Sequence, residues 1–253
     1  MADRIRIIRC LKDNYAFLVH DPATNEATLI DAPEAQPILA ALDATGWQLA
    51  RVLLTHHHWD HVDGLASIIE AHPAPVLGNA ADMARLPELD RAFSPGDKLI
   101  DGTCAVFDAP GHTLGHVAFH FPNLQALFSA DSLMTHGCGR LFEGTAADMF
   151  ATLARFAELP DDTRVFSGHD YAAANLAFAA NYAPEQDALA ARQAELPRLA
   201  TEGLPTTGTT LGSEKALNPY LRTHLPQVAE AAGIPGASPL EVFTEIRRRK
   251  DAA

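Results

Sequence analysis

The sequence predicts an α/β fold, a two-sheet sandwich with helices outside, followed by a smaller, mostly helical region. Three observations predict it. Consecutive apolar β-type runs open the chain before any helical pattern, which fits a single doubly wound parallel sheet poorly. Short runs rich in Val, Ile, Leu and Phe then alternate with helical patterns over the first two-thirds. After His169 the composition turns Ala-rich and favours helix.

Taken in order, the strand candidates are Arg4–Arg9, Ala16–His20, Ala27–Asp31, Arg51–Thr55, Val76–Gly78, Cys104–Asp108, Val117–Phe121, Ala126–Ser129 and Arg164–Ser167. Each is short and bounded by Gly, Pro, Asn or Asp. The helix candidates are Ala35–Thr45, Gly64–Ala71, Ala80–Arg85 and Ala146–Ala157. In the first of these, Ile38, Leu39 and Leu42 make one apolar face. Tyr171–Ala183 and Glu185–Thr201 follow as helices, and Pro197 is placed to kink or end the second. Gly203–Leu211 reads as a Gly/Pro/Thr loop and Leu240–Lys250 as a final helix. A boundary near residue 171 divides the chain into an α/β catalytic domain, 1–171, and a helical domain, 172–253.

A chain of 253 residues can bury a large core. No apolar run is long enough to span a membrane, and Met1-Ala2-Asp3-Arg4 leads straight into Ile5-Arg6-Ile7-Ile8 without a signal-type segment. Three scattered cysteines, Cys10, Cys104 and Cys138, argue against a disulfide framework and fit a reducing compartment. The expectation is a soluble cytoplasmic protein, a monomer with a weak homodimer as the alternative. A formal charge of −13 disfavours nucleic acid as a partner. One basic run, Arg247-Arg248-Arg249-Lys250, stands against that charge. It reads either as a helix end complementing the dipole or as an anion site.

The chemistry concentrates in Thr55-His56-His57-His58-Trp59-Asp60-His61, directly after Val52-Leu53-Leu54. Imidazole and carboxylate are ligands for first-row transition metals, and no thiolate lies nearby. Alternate residues of an extended segment point the same way, so His56 and His58 can share an ion. Asp60 and His61 lie where the chain turns. His57 should point away, and Trp59 should pack as a buried aromatic wall. Three more candidates each follow a strand in a turn: His112 in Pro110-Gly111-His112, Asp131 after Ala126-Leu127-Phe128, and His169 in Ser167-Gly168-His169. This set is too large for one tetrahedral zinc. It divides as His56, His58 and His112 on one ion, Asp60, His61 and His169 on another, with Asp131 bridging. Two divalent ions are therefore expected, zinc first, with iron or manganese as alternatives. Two ions roughly 3.5–4 Å apart can hold a water as hydroxide at neutral pH and polarise a carbonyl. Asp60 could also orient that water or take its proton. Asp31 and Asp170 are candidates to orient ligand imidazoles, Asp31 equally a turn residue.

His56-x-His58-x-Asp60-His61, His112, Asp131 and His169 resemble the metal signature of the metallo-β-lactamase superfamily. That resemblance implies an αββα sandwich with a dinuclear site along one edge. Leu11-Lys12-Asp13-Asn14-Tyr15, Gly168-His169-Asp170-Tyr171, Asn218-Pro219-Tyr220-Leu221-Arg222 and Arg247-Arg248-Arg249-Lys250-Asp251 extend it, from about residue 4 to 251, to the glyoxalase II (hydroxyacylglutathione hydrolase) family. The resemblance implies hydrolysis of S-D-lactoylglutathione to D-lactate and glutathione, the second step of methylglyoxal detoxification, by attack of a metal-bridging hydroxide. It implies that the helical domain binds glutathione, with Arg247 and Lys250 on its glycine carboxylate, Tyr171 on its backbone and Arg140 at a basic position in Cys138–Gly144. Phe142 departs from that segment's pattern, where Tyr is common, and cannot donate the same hydrogen bond. The competing readings are a lactonase or β-lactamase of the same superfamily, an iron-dependent glutathione-persulfide dioxygenase and a non-catalytic binding protein.

Overall fold

The computed structural model describes residues 4–182 and 186–253 of the chain. They form two compact units, residues 4–107 with 115–119, and residues 108–114 with 120–182 and 186–253.

The first unit opens with β1 (Ile5–Cys10), β2 (Asn14–Asp21) and β3 (Glu26–Ile30), three antiparallel neighbours. Helix α1 (Ala35–Thr45) crosses to β4 (Gln48–Leu53), which lies parallel to β3. Then come α2 (Trp59–Val62), α3 (Leu65–Ala71), β5 (Val76–Asn79) and β6 (Arg91–Phe93), completing a sheet in the order β1-β2-β3-β4-β5-β6. α1 buries Ile38, Ala41 and Leu42, the face its periodicity marked, and ends at Gly46 with φ 67°, which returns its N–H to the Leu42 carbonyl. Each of these larger apolar side chains contributes about 1.5–3 kcal/mol on burial. Gly64 packs so closely on the Glu34–Ala35 backbone that a Cβ would lie 2.6 Å from the Ala35 nitrogen. Two short strands, β7 (Lys98–Leu99) and β8 (Cys104–Asp108), pair antiparallel, and β9 (Val117–Phe121) follows.

The second unit carries β10 (Ala126–Ala130), a small hairpin of β11 (Leu133–Met134) and β12 (Gly137–Cys138), α4 (Ala146–Ala157) and β13 (Arg164–Ser167). It continues with α5 (Ala172–Ala179), α6 (Gln186–Thr201), β14 (Thr209–Thr210), α7 (Leu211–Leu217), α8 (Pro226–Ala231) and α9 (Pro239–Asp251). β13 runs parallel to β10 and antiparallel to β14. Capping boxes start α4, at Thr145 with Asp148, and α9, at Ser238 with Glu241. α6 runs on through Pro197. The expected helix ends at Ala183 and Glu185 lie outside the described residues. Among the described residues, no helix is long and apolar enough to cross a membrane. All three cysteines are free and buried.

A buried carboxylate ties the hairpin of the second unit to its helices. Glu214 of α7 is fully buried and accepts hydrogen bonds from the His136 N–H at 2.8 Å, Thr209 Oγ1 at 2.7 Å and Asn218 Nδ2 at 3.1 Å. Burial holds the His136 imidazole below its usual pKa, so it sits neutral and accepts from Arg192 Nε at 3.2 Å. Glu214→Gln exchanges one accepting oxygen for an amide that can only donate. We expect it to lower stability by about 2–3 kcal/mol, read as a shifted midpoint in chemical denaturation; an unchanged midpoint would show that the charge is not needed.

Candidate metal centre

In the first unit, β3 and β4 lie side by side and end together, with Ile30 opposite Leu53. The residues that follow them, Asp31 and Thr55, therefore meet. Asp31 takes a left-handed φ of 56°, which turns its carboxylate back over the sheet end. It accepts from the Thr55 N–H and the Thr55 hydroxyl, both at 2.8 Å, and from His61 Nδ1 at 2.9 Å. Because the Thr55 hydroxyl hydrogen goes to Asp31, the oxygen is left to accept from His56 Nδ1 at 3.0 Å. One carboxylate thus sets the tautomer of two imidazoles, directly for His61 and through Thr55 for His56. Both keep a proton on Nδ1 and offer the Nε2 lone pair, as metal-binding histidines need.

The one-turn helix α2 then gathers the rest of the cluster. His58 precedes it, and the His61 N–H closes onto the His58 carbonyl at 2.9 Å. Ring centroids lie 4.7 Å apart for His56 and His58 and 4.3 Å for His56 and His61. Asp60 is fixed by Asn14, whose Nδ2 donates to its carbonyl at 2.9 Å and to its Oδ2 at 3.1 Å. His57 points away as expected, with Nδ1 2.9 Å from Asp82 Oδ2. Trp59 corrects the expectation of a buried wall. It is 65% exposed, because the inward position of α2 belongs to His61 and its first residue faces out. Sequence reasoning missed His116, fully buried and stacked on His56 at 4.8 Å. It also missed Asn14 and Asp82 as supports. The apolar-run-then-polar-turn signal that marked the candidate ligands does not mark residues that only brace them.

In the second unit, β10 and β13 run parallel, so the residues after them again end together. A bulge after Phe128 and a φ of 41° at Ala130 turn Asp131 out of the strand. Its Oδ2 lies 3.3 Å from His169 Nε2 and 3.4 Å from His112 Nε2. His112 Nδ1 donates to the Arg140 carbonyl at 2.8 Å, so its neutral ring also presents a lone pair on Nε2. Imidazole lone pairs converging on a carboxylate repel one another in the absence of a cation. The donor set therefore fits metal ions, with Asp131 placed as the carboxylate common to His112 and His169. Gly139 makes room for this turn, since a Cβ there would fall 1.8 Å from the Asp131 carbonyl oxygen.

The expected substrate residues divide. Phe142 is 60% exposed, sits edge-on to His112 at 5.2 Å and carries the Arg140 guanidinium 5.6 Å above its ring. Tyr171 is partly exposed and stacks on His169 at 4.8 Å. Lys250 stands 5.0 Å from the Phe178 ring and bonds to the Ala174 carbonyl. Arg247 is buried; its Nη1 donates to the Cys138 carbonyl at 3.0 Å and its Nη2 to Asp251 at 2.8 Å. Of the two residues expected as one carboxylate clamp, one is thus turned into the protein. Asp170 takes the Thr206 hydroxyl.

A family model described as the metallo-beta-lactamase superfamily matches residues 13–169, and one described as the hydroxyacylglutathione hydrolase C-terminus matches residues 170–253. A hydroxyacylglutathione hydrolase of Ruegeria pomeroyi is 50% identical over 246 residues, 96% of each chain. The chain belongs to the hydroxyacylglutathione hydrolase family. The hydroxyacylglutathione hydrolase of Jannaschia sp. is 51% identical over 255 residues and covers all of both chains. Among solved structures, ETHE1 from Myxococcus xanthus is 25% identical with a TM-score of 0.66, covering 96% of this chain and 89% of its own. TTHA1623 in a di-iron-bound form is 28% identical with a TM-score of 0.64, covering 85% and 98%. The BLEG-1 B3 metallo-beta-lactamase, 21% identical with a TM-score of 0.65 over 86% of this chain and 99% of its own, shows the fold alone. The fold is the αββα metallo-β-lactamase-like one that the sequence implied, with a helical C-terminal region.

Proposed function

We propose that the chain hydrolyses the thioester of S-D-lactoylglutathione, giving D-lactate and glutathione, at a centre of two metal ions. It is a metal-dependent thioester hydrolase of the hydroxyacylglutathione hydrolase family. The observation that carries the two-ion reading is Asp131 Oδ2, within 3.4 Å of two different imidazole Nε2 atoms. Two donor clusters support it, each built within one unit: His56, His58, Asp60 and His61 around α2, and His112, Asp131 and His169 at the ends of the strands of the second unit. We assign His56, His58 and His112 to one ion, Asp60, His61 and His169 to the other, and Asp131 to both. Zinc suits neutral imidazole and carboxylate, and iron is the alternative, TTHA1623 having been solved in a di-iron-bound form.

When bound, the ions supply a water activated at neutral pH and polarise the thioester carbonyl. The chain's own residues do the rest. Asp31 and Thr55 hold His61 and His56 in the ligating tautomer. Asn14 donates to Asp60 and stabilises its charged, ligating form. Asp60 and Asp131, the carboxylates of the set, are the residues we assign to catalysis. Arg140, Phe142, Tyr171 and Lys250 are assigned to glutathione. Phe142 contributes ring contact where a Tyr would also donate. We place the domain boundary at residue 171, close to where the two family models meet, and read the enzyme as a cytoplasmic monomer, in keeping with its free cysteines.

Hydrolysis of S-D-lactoylglutathione by the purified protein, with metal content measured on the same sample, tests this. Turnover with close to two ions per chain is expected. A fully metallated protein that leaves the thioester intact but opens lactones or β-lactams would overturn the substrate.

A further inference from the structure

Between the two imidazoles assigned to one ion stands a third that is anchored elsewhere. His57 Nδ1 donates to Asp82 Oδ2 at 2.9 Å. Asp82 is 1% exposed, and its other oxygen takes Arg85 Nε at 2.8 Å and Arg85 Nη2 at 2.7 Å. A carboxylate withdrawn from water is costly unless it is paired and hydrogen-bonded, and this one meets both conditions. Neither Asp82 nor His57 belongs to the assigned ligand set, so the reaction itself does not explain them. Asn79 fixes the turn that carries Asp82, accepting from the Ala81 N–H at 3.2 Å and donating to the Gly115 carbonyl at 2.9 Å.

The same Gly115 packs against Asp82. A Cβ on it would fall 2.6 Å from both the Cβ and the Cγ of Asp82. One residue on, the buried His116 ring stacks on His56 at 4.8 Å, with the planes 30° apart. One further on, the Val117 N–H donates to the Thr55 carbonyl at 3.0 Å. Consecutive residues thus back the His56–His57 step: Gly115 supports the anchor of His57, and His116 lies on His56. Neighbouring side chains of an extended segment point opposite ways. With His57 drawn to Asp82, His56 and His58 are left to point together, and their ring centroids lie 4.7 Å apart.

We propose, resting on the ligand set assigned above, that His57 and Asp82 are positioning residues for the metal centre. Their hydrogen bond sets the direction in which His56 and His58 present their imidazoles, and the Gly115–His116 step supports it. The middle histidine of the cluster thus has a task in metal binding without touching an ion.

The test measures zinc affinity of the chelator-treated full chain by competition with a chromophoric chelator, beside the midpoint of chemical denaturation for each variant. His57→Leu and His57→Asn have the same branching and similar size, but only Asn places an N–H where Nδ1 stands. His57→Leu is expected to weaken zinc binding about tenfold, the lower end of the range for residues that orient metal ligands. His57→Asn should restore most of that affinity. A pair that only closed the fold would lower the midpoint in His57→Leu and leave zinc affinity at the wild-type value, which would overturn the proposal. Equal losses of affinity in His57→Leu and His57→Asn would overturn it too, since the hydrogen bond would then not set the ligands. If His57→Leu does not fold, Gly115→Ala, which drives a methyl group into Asp82, takes its place: a loss of zinc affinity supports the proposal and wild-type affinity overturns it. Failure of the ligand set itself shows separately, as His58→Ala binding zinc like the wild type.

Discussion

Asp131→Ala is expected to lose metal and activity together. Its Oδ2 lies within 3.4 Å of both His112 and His169, so its removal takes a ligand from both assigned ions at once. Replacing a group that only orients a ligand weakens metal binding about 10–100-fold, and removing a shared ligand should exceed that. Losing several kcal/mol of charge stabilisation at the reacting carbonyl corresponds to a fall in kcat of about a thousandfold or more. Metal analysis of the purified variant, with thioester turnover on the same sample, reads both. Asp131→Asn separates charge from size: it keeps the volume at a position that is 4% exposed and should still bind poorly. A variant that keeps one ion and full activity would break the bridging assignment.

The residues proposed as ligands stood out in the sequence because each follows an apolar run that ends in a polar turn. Parallel pairing then brings the ends together, β3 beside β4 and β10 beside β13. The elements read most closely are α1, α4, β8, β9 and β13, whose bounds match the expected ones. They have clear apolar periodicity, buried faces or sharp breakers. The elements that escaped are short. β11 and β12 have two residues each, and β14, inside a stretch read as loop, is held by pairing to Arg164 and Val165 rather than by its own Thr-Thr preference. α7 and α8 span seven and six residues, below the length at which periodicity is informative. The expected helix Ala80–Arg85 is only a 3-10 turn, Ala80–Asp82, since Asp82 is drawn to His57 and Arg85.

Burial of charge was the least legible property. The run of four basic residues reads either as a helix end or as an anion site with Arg247 and Lys250 on one side, and Arg248 is exposed. Arg247 differs only by its register, four residues after Phe243 on the face that α9 buries. The 3.6-residue period contained that signal, while the sequence reading turned Arg247 with Lys250 toward a ligand. Trp59 failed in the opposite sense, an apolar residue read as buried whose one-turn helix gives its inward face to His61. Both cases show side-chain type overruling position where position decides.

Asp31→Asn should have the second-largest effect, although the residue touches no assigned ion. Its Oδ1 accepts from the Thr55 N–H, and an Asn oxygen can continue to do so. Its Oδ2 faces the Thr55 hydroxyl and His61 Nδ1 at 2.8 and 2.9 Å, and the Asn amide would present N–H groups to both. The hydroxyl can rotate, but it then ceases to be a pure acceptor for His56 Nδ1. The His61 ring can relieve its contact by moving the proton to Nε2, which removes the lone pair that ligates. The expected result is a stability loss of about 2–3 kcal/mol from donors left without acceptors, and zinc binding weaker by about 10–100-fold. Chemical denaturation of the chelator-treated protein reads the first and a zinc competition titration the second. Separate readings matter, because a residue that served only the turn would lower stability and leave zinc affinity untouched. Wild-type zinc affinity in a destabilised Asp31→Asn would reduce Asp31 to its left-handed turn, and the tautomers of His56 and His61 would then need another cause.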